Sequence, residues 1–195
     1  MNNNNKNPKG FIPKHGGYRK LKSYQKAEII YDGTIYFTKR FFRSSDRTVD
    51  QMVQAARSGK QNIAEASMAS ATSKETEIKL TNVARASLEE LRIDYEDFIR
   101  KSNYQFWDAD NELVARLREL NKIPDATYET FRKAIEHENP EICANTMIGL
   151  IQVAGYLLKN QIKSLEEAFV NEGGLREKMT KVRIDHRNSN SNQGN

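Results

Sequence analysis

Apolar and small residues recur every three or four positions along most of the chain, the spacing that places side chains on one face of an α-helix. This pattern predicts four long helices, over about 18–42, 47–71, 72–101 and 140–170. Two short amphipathic helices, over about 108–121 and 125–137, are expected between the third and the fourth. No stretch alternates with the period of two that marks a half-buried strand. We therefore predict an all-α fold, an up-down-up-down four-helix bundle with a short helical insert at about 102–139.

The two ends of the chain lack this pattern. Residues 1–17 combine an asparagine run with prolines and glycines, so we expect a disordered tail. Gly173 and Gly174 are typical of the end of a helix, which places the bundle with its insert at 18–174. Residues 175–195 are expected to form a polar C-terminal tail, whose last part, 186–195, resembles the first tail in composition.

Two local features predict how the long helices begin and pack. Thr72, followed three positions later by Glu75, fits the capping box that starts a helix. The second helix is rich in small residues, from which we expect a neighbouring helix to approach it closely; they are Ala55, Ala56, Ser58, Gly59, Ala64 and Ala66.

Cysteine content and hydropathy indicate the compartment. The single cysteine, Cys143, cannot form a disulfide within the chain, which favours a reducing environment. The first residues show no apolar signal segment, and no uncharged run reaches the roughly 18 residues of a membrane-spanning helix. We expect a cytoplasmic protein without a membrane partner.

Positive charge is concentrated near the start of the chain. The 31 Lys and Arg residues exceed the 26 Asp and Glu residues by five. Residues 1–47 contain eleven basic and three acidic residues, a net charge of +8, whereas the other 148 residues carry a net charge of −3. Such asymmetry favours an anionic partner, either nucleic acid, an acidic protein or a membrane surface, or it serves only solubility.

The residues that usually carry catalysis form no recognisable constellation. The three histidines lack the spacing of a helical metal site, and the Glu-x-x-His motif of di-metal helix bundles is absent from the sequence. Cys143 fits a small buried residue better than a nucleophile. Five carboxylates crowd the third helix and form either a paired acid site or, as we favour, a solvated face neutralised by arginines; they are Glu89, Glu90, Asp94, Glu96 and Asp97. We expect no metal, no cofactor and no enzymatic activity.

Basic side chains on the first two helices are the best candidates for a binding site, because Lys and Arg on rigid helices neutralise phosphates without reading bases. The interleaved Tyr24, Tyr31, Tyr36 and Phe37 could stack on bases, but their helical spacing favours a place in the core. The candidate phosphate-binding residues are Arg19, Lys20, Lys22, Lys26, Lys39, Arg40, Arg43, Arg47, Arg57 and Lys60.

Residues 51–66, QMVQAARSGKQNIAEA, resemble the motif Q-x-x-R-A-x-x-S-x-x-x-N-I-A-E-G of the bacterial four-helix bundle family of ribosomal RNA intervening-sequence proteins. Gln54 stands where the family usually has arginine, although Arg57 lies one turn later, and Ala66 and Ala86 replace glycines. The insert lies outside the common pattern. The matching positions are Gln51, Ala55, Ser58, Asn62, Ile63, Ala64 and Glu65, with Leu21, Tyr24, Gln25, Lys26 and Ala27 in the first helix and Ser87, Leu88, Glu90 and Leu91 in the third.

The resemblance extends to the accessory variability determinant of diversity-generating retroelements, a relative within that family. It implies an up-and-down bundle, a homopentamer and a non-catalytic role beside RNA or DNA and a reverse transcriptase. Asn62 and Glu65 could form a buried polar network that fixes helix register, which we favour over direct ligand contact. The shared residues with this structural role are Gln51, Ser58, Asn62, Glu65, Ser87 and Glu90.

The sequence thus favours an oligomeric accessory protein that binds RNA or DNA through its basic surface, assisting a reverse transcriptase of a diversity-generating retroelement. The alternative is a protein-interaction scaffold whose basic surface docks an acidic protein partner and never contacts nucleic acid.

Overall fold

A computed structural model of the chain describes residues 16–173 and 175–191, and these residues form helices without any strand. A single 3-10 turn, Tyr18–Lys20, precedes the first of them. The helices are α1 (Lys22–Phe41), α2 (Arg47–Ala69), α3 (Lys74–Lys101), α4 (Glu112–Lys122), α5 (Tyr128–Ile135), α6 (Pro140–Glu172) and α7 (Leu175–Ser191). The prediction of an all-α fold is confirmed, and each expected helix is present within a few residues of its expected bounds.

The two predicted tails have different outcomes. Residues 1–15 lie outside the described residues, and so do 192–195. The sequence predicts a polar tail after Gly174. The structure instead has a helix there, α7, over Leu175–Ser191. Leucine, methionine, glutamate, lysine and arginine, all good helix formers, predominate in the first half of α7, which explains why a helix forms there although the side chains that the structure describes, such as Met179 and Val182, are exposed.

Side-chain caps fix the start of several helices. The Asp46 carboxylate accepts a hydrogen bond from the Thr48 amide at 2.9 Å, which starts α2. The Ser73 hydroxyl accepts one from the Thr76 amide at 3.1 Å, which starts α3. The predicted capping box at Thr72 is therefore wrong by one residue, because the Thr72 hydroxyl instead donates to the Ala69 carbonyl in the turn that ends α2.

The four long helices form a ring of neighbours. Helix α1 packs against α2 and α6, and α3 packs against the same two helices from the other side. The Ser23 hydroxyl donates to Gln161 Oε1 at 2.8 Å, whereas Gly33 lies beside Met147, so α1 and α6 run in opposite directions. The insert helices α4 and α5 cover the outer face of α6, and α5 also contacts α1.

The core between these helices is apolar and aromatic. The centre of the Phe37 ring lies 4.9 Å from the centres of the Tyr95 and Phe98 rings. The contact with Tyr95 is tilted and the contact with Phe98 is edge-to-face. The Tyr95 hydroxyl donates to Thr34 Oγ1 at 3.1 Å, which satisfies a polar atom inside the core. The largest fully buried side chains include Tyr95, Phe37, Phe131, Ile30, Met52, Leu88 and Met147.

Helices α2 and α3 approach each other closely, as the small residues of α2 predict. A Cβ atom at Gly59 would lie only 2.6 Å from Leu88 Cδ2 and 2.8 Å from Leu88 Cγ. Leu88 is almost fully buried, so it has little room to move away. Only glycine therefore fits at this crossing without displacing a neighbour.

Helix α6 is the most apolar element. Within the described residues it is the one helix that, by length and composition alone, could cross a membrane, and 56% of that stretch is buried inside the protein. A core helix passes the same test, and α6 contacts α1, α3, α4 and α5. Gly173 ends it with a φ of 68°, a left-handed conformation that favours glycine.

Candidate nucleic-acid interface

The candidate basic residues lie in groups along the hairpin that α1 and α2 form. Lys39 follows Lys22 by seventeen residue steps, about 26 Å along the helix axis. One group at the start of α1 comprises Arg19, Lys20 and Lys22, and one on α2 comprises Arg57 and Lys60. The third group, which we name the link cluster, consists of Lys39, Arg40, Arg43 and Arg47 around the link between α1 and α2.

The basic residues do not form one continuous surface. Glu28 and Asp32 are exposed on α1 between its two basic ends. Lys60 is half-buried, and its ammonium lies 4.0 Å from the centre of the Tyr31 ring, a cation–π contact. The expected site is therefore divided, with the link cluster as its densest part.

Lys26 is a correction to the expected set. The sequence places it on the exposed face of α1, but only 8% of it is exposed. Its Nζ donates to Asn121 Oδ1 of α4 at 2.7 Å and lies 4.2 Å from the centre of the Phe131 ring of α5. Burial lowers the pKa of Lys26 to about 8. Lys26 thus anchors the insert to α1 and is not available to a phosphate.

Ion pairing distinguishes the link cluster from several basic residues of α3, α4 and α5. On α3, α4, α5 and α6, several cations pair with a carboxylate three or four residues away along the chain. On α3, for example, Arg92 pairs with both Glu89 and Glu96. All four cations of the link cluster are exposed, and within the part of the chain described none forms an ion pair.

Two carboxylates lie close to the link cluster in sequence. The Asp46 carboxylate is engaged in capping α2, and the hydrogen bond from the Thr48 amide is the main reason that the pKa of Asp46 is lowered. A smaller contribution comes from Lys101, so the end of α3 lies near the start of α2 and adds a further positive charge. Asp50 is exposed one turn after Arg47. Positive charge therefore predominates at this end of the protein.

The aromatic residues that could have stacked on bases belong to the interior. Tyr24 and Phe37 are buried, and Tyr31 and Tyr36 are half-buried. The Tyr36 hydroxyl donates to the Glu136 carbonyl, across to the end of α5. The preference for a core role is confirmed for Tyr24 and Phe37, and the exposed side chains of the link cluster are charged groups rather than rings.

Three of the six motif residues meet between α2 and α3. Asn62 Nδ2 donates to the Ser58 carbonyl at 2.9 Å and to Ser58 Oγ at 3.1 Å. Ser58 Oγ lies 3.0 Å from Ser87 Oγ, which joins the two helices. Gln51, Glu65 and Glu90 are exposed and lie outside this half-buried network. The expected buried network of Asn62 and Glu65 is therefore wrong in its second member, and a half-buried network of Asn62, Ser58 and Ser87 is found instead.

The groups examined for catalysis have structural surroundings. Cys143 is buried and its Sγ donates to the His137 carbonyl at 2.9 Å; burial raises the pKa of the thiol to about 11, so little thiolate is present near neutral pH. The Asp97 carboxylate pairs with Arg100, which supports the solvated face on α3. Among the residues described, no cluster of three His, Cys, Asp or Glu side chains could hold a metal ion.

No family model, no curated protein and no solved structure matches the chain.

Proposed function

We propose that this protein is a non-catalytic accessory protein that binds RNA or DNA through the link cluster. The observation that carries the proposal is a concentration of unpaired charge: within nine residues, the four exposed cations of the link cluster form no ion pair among the described residues, whereas Arg92 and Arg100 of α3 are paired with carboxylates. An unpaired cation forms a contact with phosphate without first breaking a contact within the protein.

The rigidity of the site also supports phosphate binding. Lys39 and Arg40 lie on the last turn of α1, and Arg47 begins α2, so three of the four cations project from helices. Phe41 and Phe42 pack on Phe37 and anchor the link in the aromatic core. Contacts between these cations and phosphate groups would position a nucleic acid by its backbone and carry no base preference.

The proposal includes an up-down-up-down arrangement of α1, α2, α3 and α6 and self-association of the chain, for which the resemblance implies a pentamer. The opposite directions of α1 and α6, and the proximity of Lys101 to Asp46, support the arrangement. Val83 and Ile93 support self-association, since they are 45% and 47% exposed on the outer face of α3. A reverse transcriptase is the proposed protein partner, in the cytoplasm.

Charge reversal at the link cluster tests the proposal. The variant Arg40→Glu, Arg43→Glu, Arg47→Glu is compared with Lys79→Glu, Arg85→Glu, Lys159→Glu, which changes exposed cations elsewhere and lowers the net charge by the same amount. Binding of single-stranded and duplex RNA and DNA is measured by fluorescence anisotropy at low and at physiological salt. We expect at least tenfold weaker binding for the first variant and a much smaller loss for the second.

Three results would reject this assignment. Absence of binding to every nucleic acid at low salt excludes the function itself, and binding of an acidic protein that charge reversal at the link cluster abolishes supports the scaffold alternative. Equal losses in the two variants show that net charge, rather than the link cluster, determines affinity.

A further inference from the structure

A large cleft lies where the insert helices α4 and α5 cover α6. Its volume is about 1420 Å³, above the range of about 300–1,000 Å³ that is common for small-molecule sites. Trp107, which follows α3, is one of its lining residues. The Trp107 amide donates to Asn145 Oδ1 at 2.9 Å, which fixes this segment to α6.

The cleft has the shape of a groove along α6. Ile142, Thr146, Gly149, Val153 and Tyr156 all line it, at alternating spacings of four and three residues that place them on one face of the helix. These fourteen residue steps correspond to about 21 Å along the axis. A helix of about four turns matches that length, so the groove is better suited to a helix than to a compact ligand.

Several apolar side chains that line the cleft remain partly exposed to solvent. Leu117 of α4 packs into the space that the missing side chain of Gly149 leaves. Its neighbours Leu113, Val114 and Leu120 also line the cleft but remain only half-buried. Tyr156 is 65% exposed at the far end of the groove. An apolar helix face would remove these side chains from water.

A buried hydroxyl in the lining lacks a hydrogen bond. Thr146 is 1% exposed, and Thr146 Oγ1 has no partner among the described residues. The buried threonines Thr34 and Thr81 instead donate to the carbonyl four residues earlier in their helices. An unsatisfied buried hydroxyl destabilises the protein, and a hydrogen bond to a polar group of an occupant would remove that cost.

The rim of the cleft is cationic. Arg116 and Arg118 of α4 and Lys133 of α5 line it, are exposed and form no ion pair within the described part of the chain. The acidic side chains at the rim are occupied, since Glu119 pairs with Lys122 and Glu129 with Arg132. The net charge available to an occupant is therefore positive.

We infer that this cleft is a docking site for an acidic amphipathic helix of a partner protein. Charge complementarity selects this occupant: the apolar face of the helix would contact the α6 face, and its carboxylates would reach the cationic rim. Helix α7, of this chain or of a second copy, is a poorer match. It carries five basic and two acidic residues and would be repelled by the same rim.

The test uses Trp107 as its reporter, because it is the single tryptophan of the chain. A synthetic helical peptide of about sixteen residues, with leucines at helical spacing and glutamates elsewhere, is titrated while Trp107 emission is recorded. Two control peptides carry lysines in place of the glutamates or the acidic composition in scrambled order. We expect saturable binding of the acidic amphipathic peptide and at least tenfold weaker binding of both controls.

Two variants locate the site. Arg116→Glu, Arg118→Glu, Lys133→Glu should weaken peptide binding at least tenfold, and Tyr156→Ala should weaken it severalfold. Both change exposed side chains and should leave the circular dichroism spectrum and nucleic-acid binding intact. Charge reversal at the link cluster should weaken nucleic-acid binding and leave peptide binding unchanged. Each proposal can therefore fail while the other holds.

Four results would overturn the inference. They are absence of peptide binding, equal binding of the lysine or scrambled peptide, unchanged affinity in the rim variant, and occupation of the cleft by a second copy. The last is detected by sedimentation as a dimer that the Tyr156→Ala variant abolishes.

Discussion

Glycine at the crossing of α2 and α3 should be required by packing rather than by backbone conformation. Gly59 lies in the interior of α2, where alanine ordinarily stabilises a helix by about 1 kcal/mol relative to glycine. In this position the added methyl group would meet Leu88 Cδ2 at 2.6 Å and Leu88 Cγ at 2.8 Å. We therefore expect Gly59→Ala to destabilise the protein.

The magnitude follows from two opposing terms. Inserting a methyl group into a well-packed core costs about 1–3 kcal/mol, and the gain in helix propensity offsets about 1 kcal/mol of this cost. The net loss in the free energy of unfolding should be about 0–2 kcal/mol. Gly155 of α6 is the matched control, since a Cβ there meets no atom within 4 Å. Gly155→Ala should stabilise by about 0.5–1 kcal/mol.

Urea denaturation followed by circular dichroism measures both values, and a third variant identifies the cause. Leu88→Ala removes the atoms that clash, at its own cost of about 2–5 kcal/mol. In that background Gly59→Ala should become stabilising by about 1 kcal/mol, so the two residues should show a measurable coupling energy. If Gly59→Ala alone stabilises as much as Gly155→Ala, the close approach of α2 and α3 is wrong.

Three further measurements test the surroundings of single residues. Asn62→Ala should lower the free energy of unfolding by about 0.5–1.5 kcal/mol, because it removes the hydrogen bonds to Ser58, whereas Glu65→Ala in the same motif should change it by less than about 0.5 kcal/mol. The pKa of Lys26, about 8 in the folded state, lies below its ordinary value of 10.5, so between these values the unfolded chain binds more protons. Wild-type stability relative to Lys26→Met should thus rise as pH increases from 7 to 10, and a pH-independent difference would contradict this. Under native conditions, Cys143 should react with a thiol reagent only slowly, with a rate that increases when the protein is unfolded; rapid native labelling would exclude its burial.

The helices were largely predictable because the apolar period dominates their sequences. Helix α6 is apolar over most of its length, and its start at Pro140 and its end before Gly173 follow from backbone preferences that sequence carries directly. The cap of α3 was not predictable to the residue. Thr72 and Ser73 are both suitable capping residues, and the extended backbone of Ser73 in the folded chain decides between them.

The position of Lys26 shows where sequence analysis fails. Its register along α1 resembles that of Lys22, which is exposed. It is buried because Asn121, 95 residues later, and Phe131 reach it from the insert. Only the tertiary position of α4 and α5 reveals this, and the same holds for the cleft, whose lining combines residues from three helices.

The candidate interface was partly predictable for a similar reason. Composition identifies the basic residues, and the link cluster is local in sequence, so its four cations could be grouped in advance. Whether each cation has an acidic partner depends on side-chain geometry. Arg92 and Arg100 are paired on α3, whereas Arg40 and Arg43 are not paired, and this difference emerges only from the folded structure.

The salt dependence of nucleic-acid affinity tests the central claim most directly. Each phosphate contact contributes about 0.7 to the slope of log affinity against log salt for a single strand, and about 0.9 for duplex DNA. Reversing Arg40, Arg43 and Arg47 should reduce the slope for single-stranded RNA by up to about 2, whereas reversing Lys79, Arg85 and Lys159 should leave it unchanged. Equal slopes for the wild type and both variants would contradict phosphate binding at the link cluster.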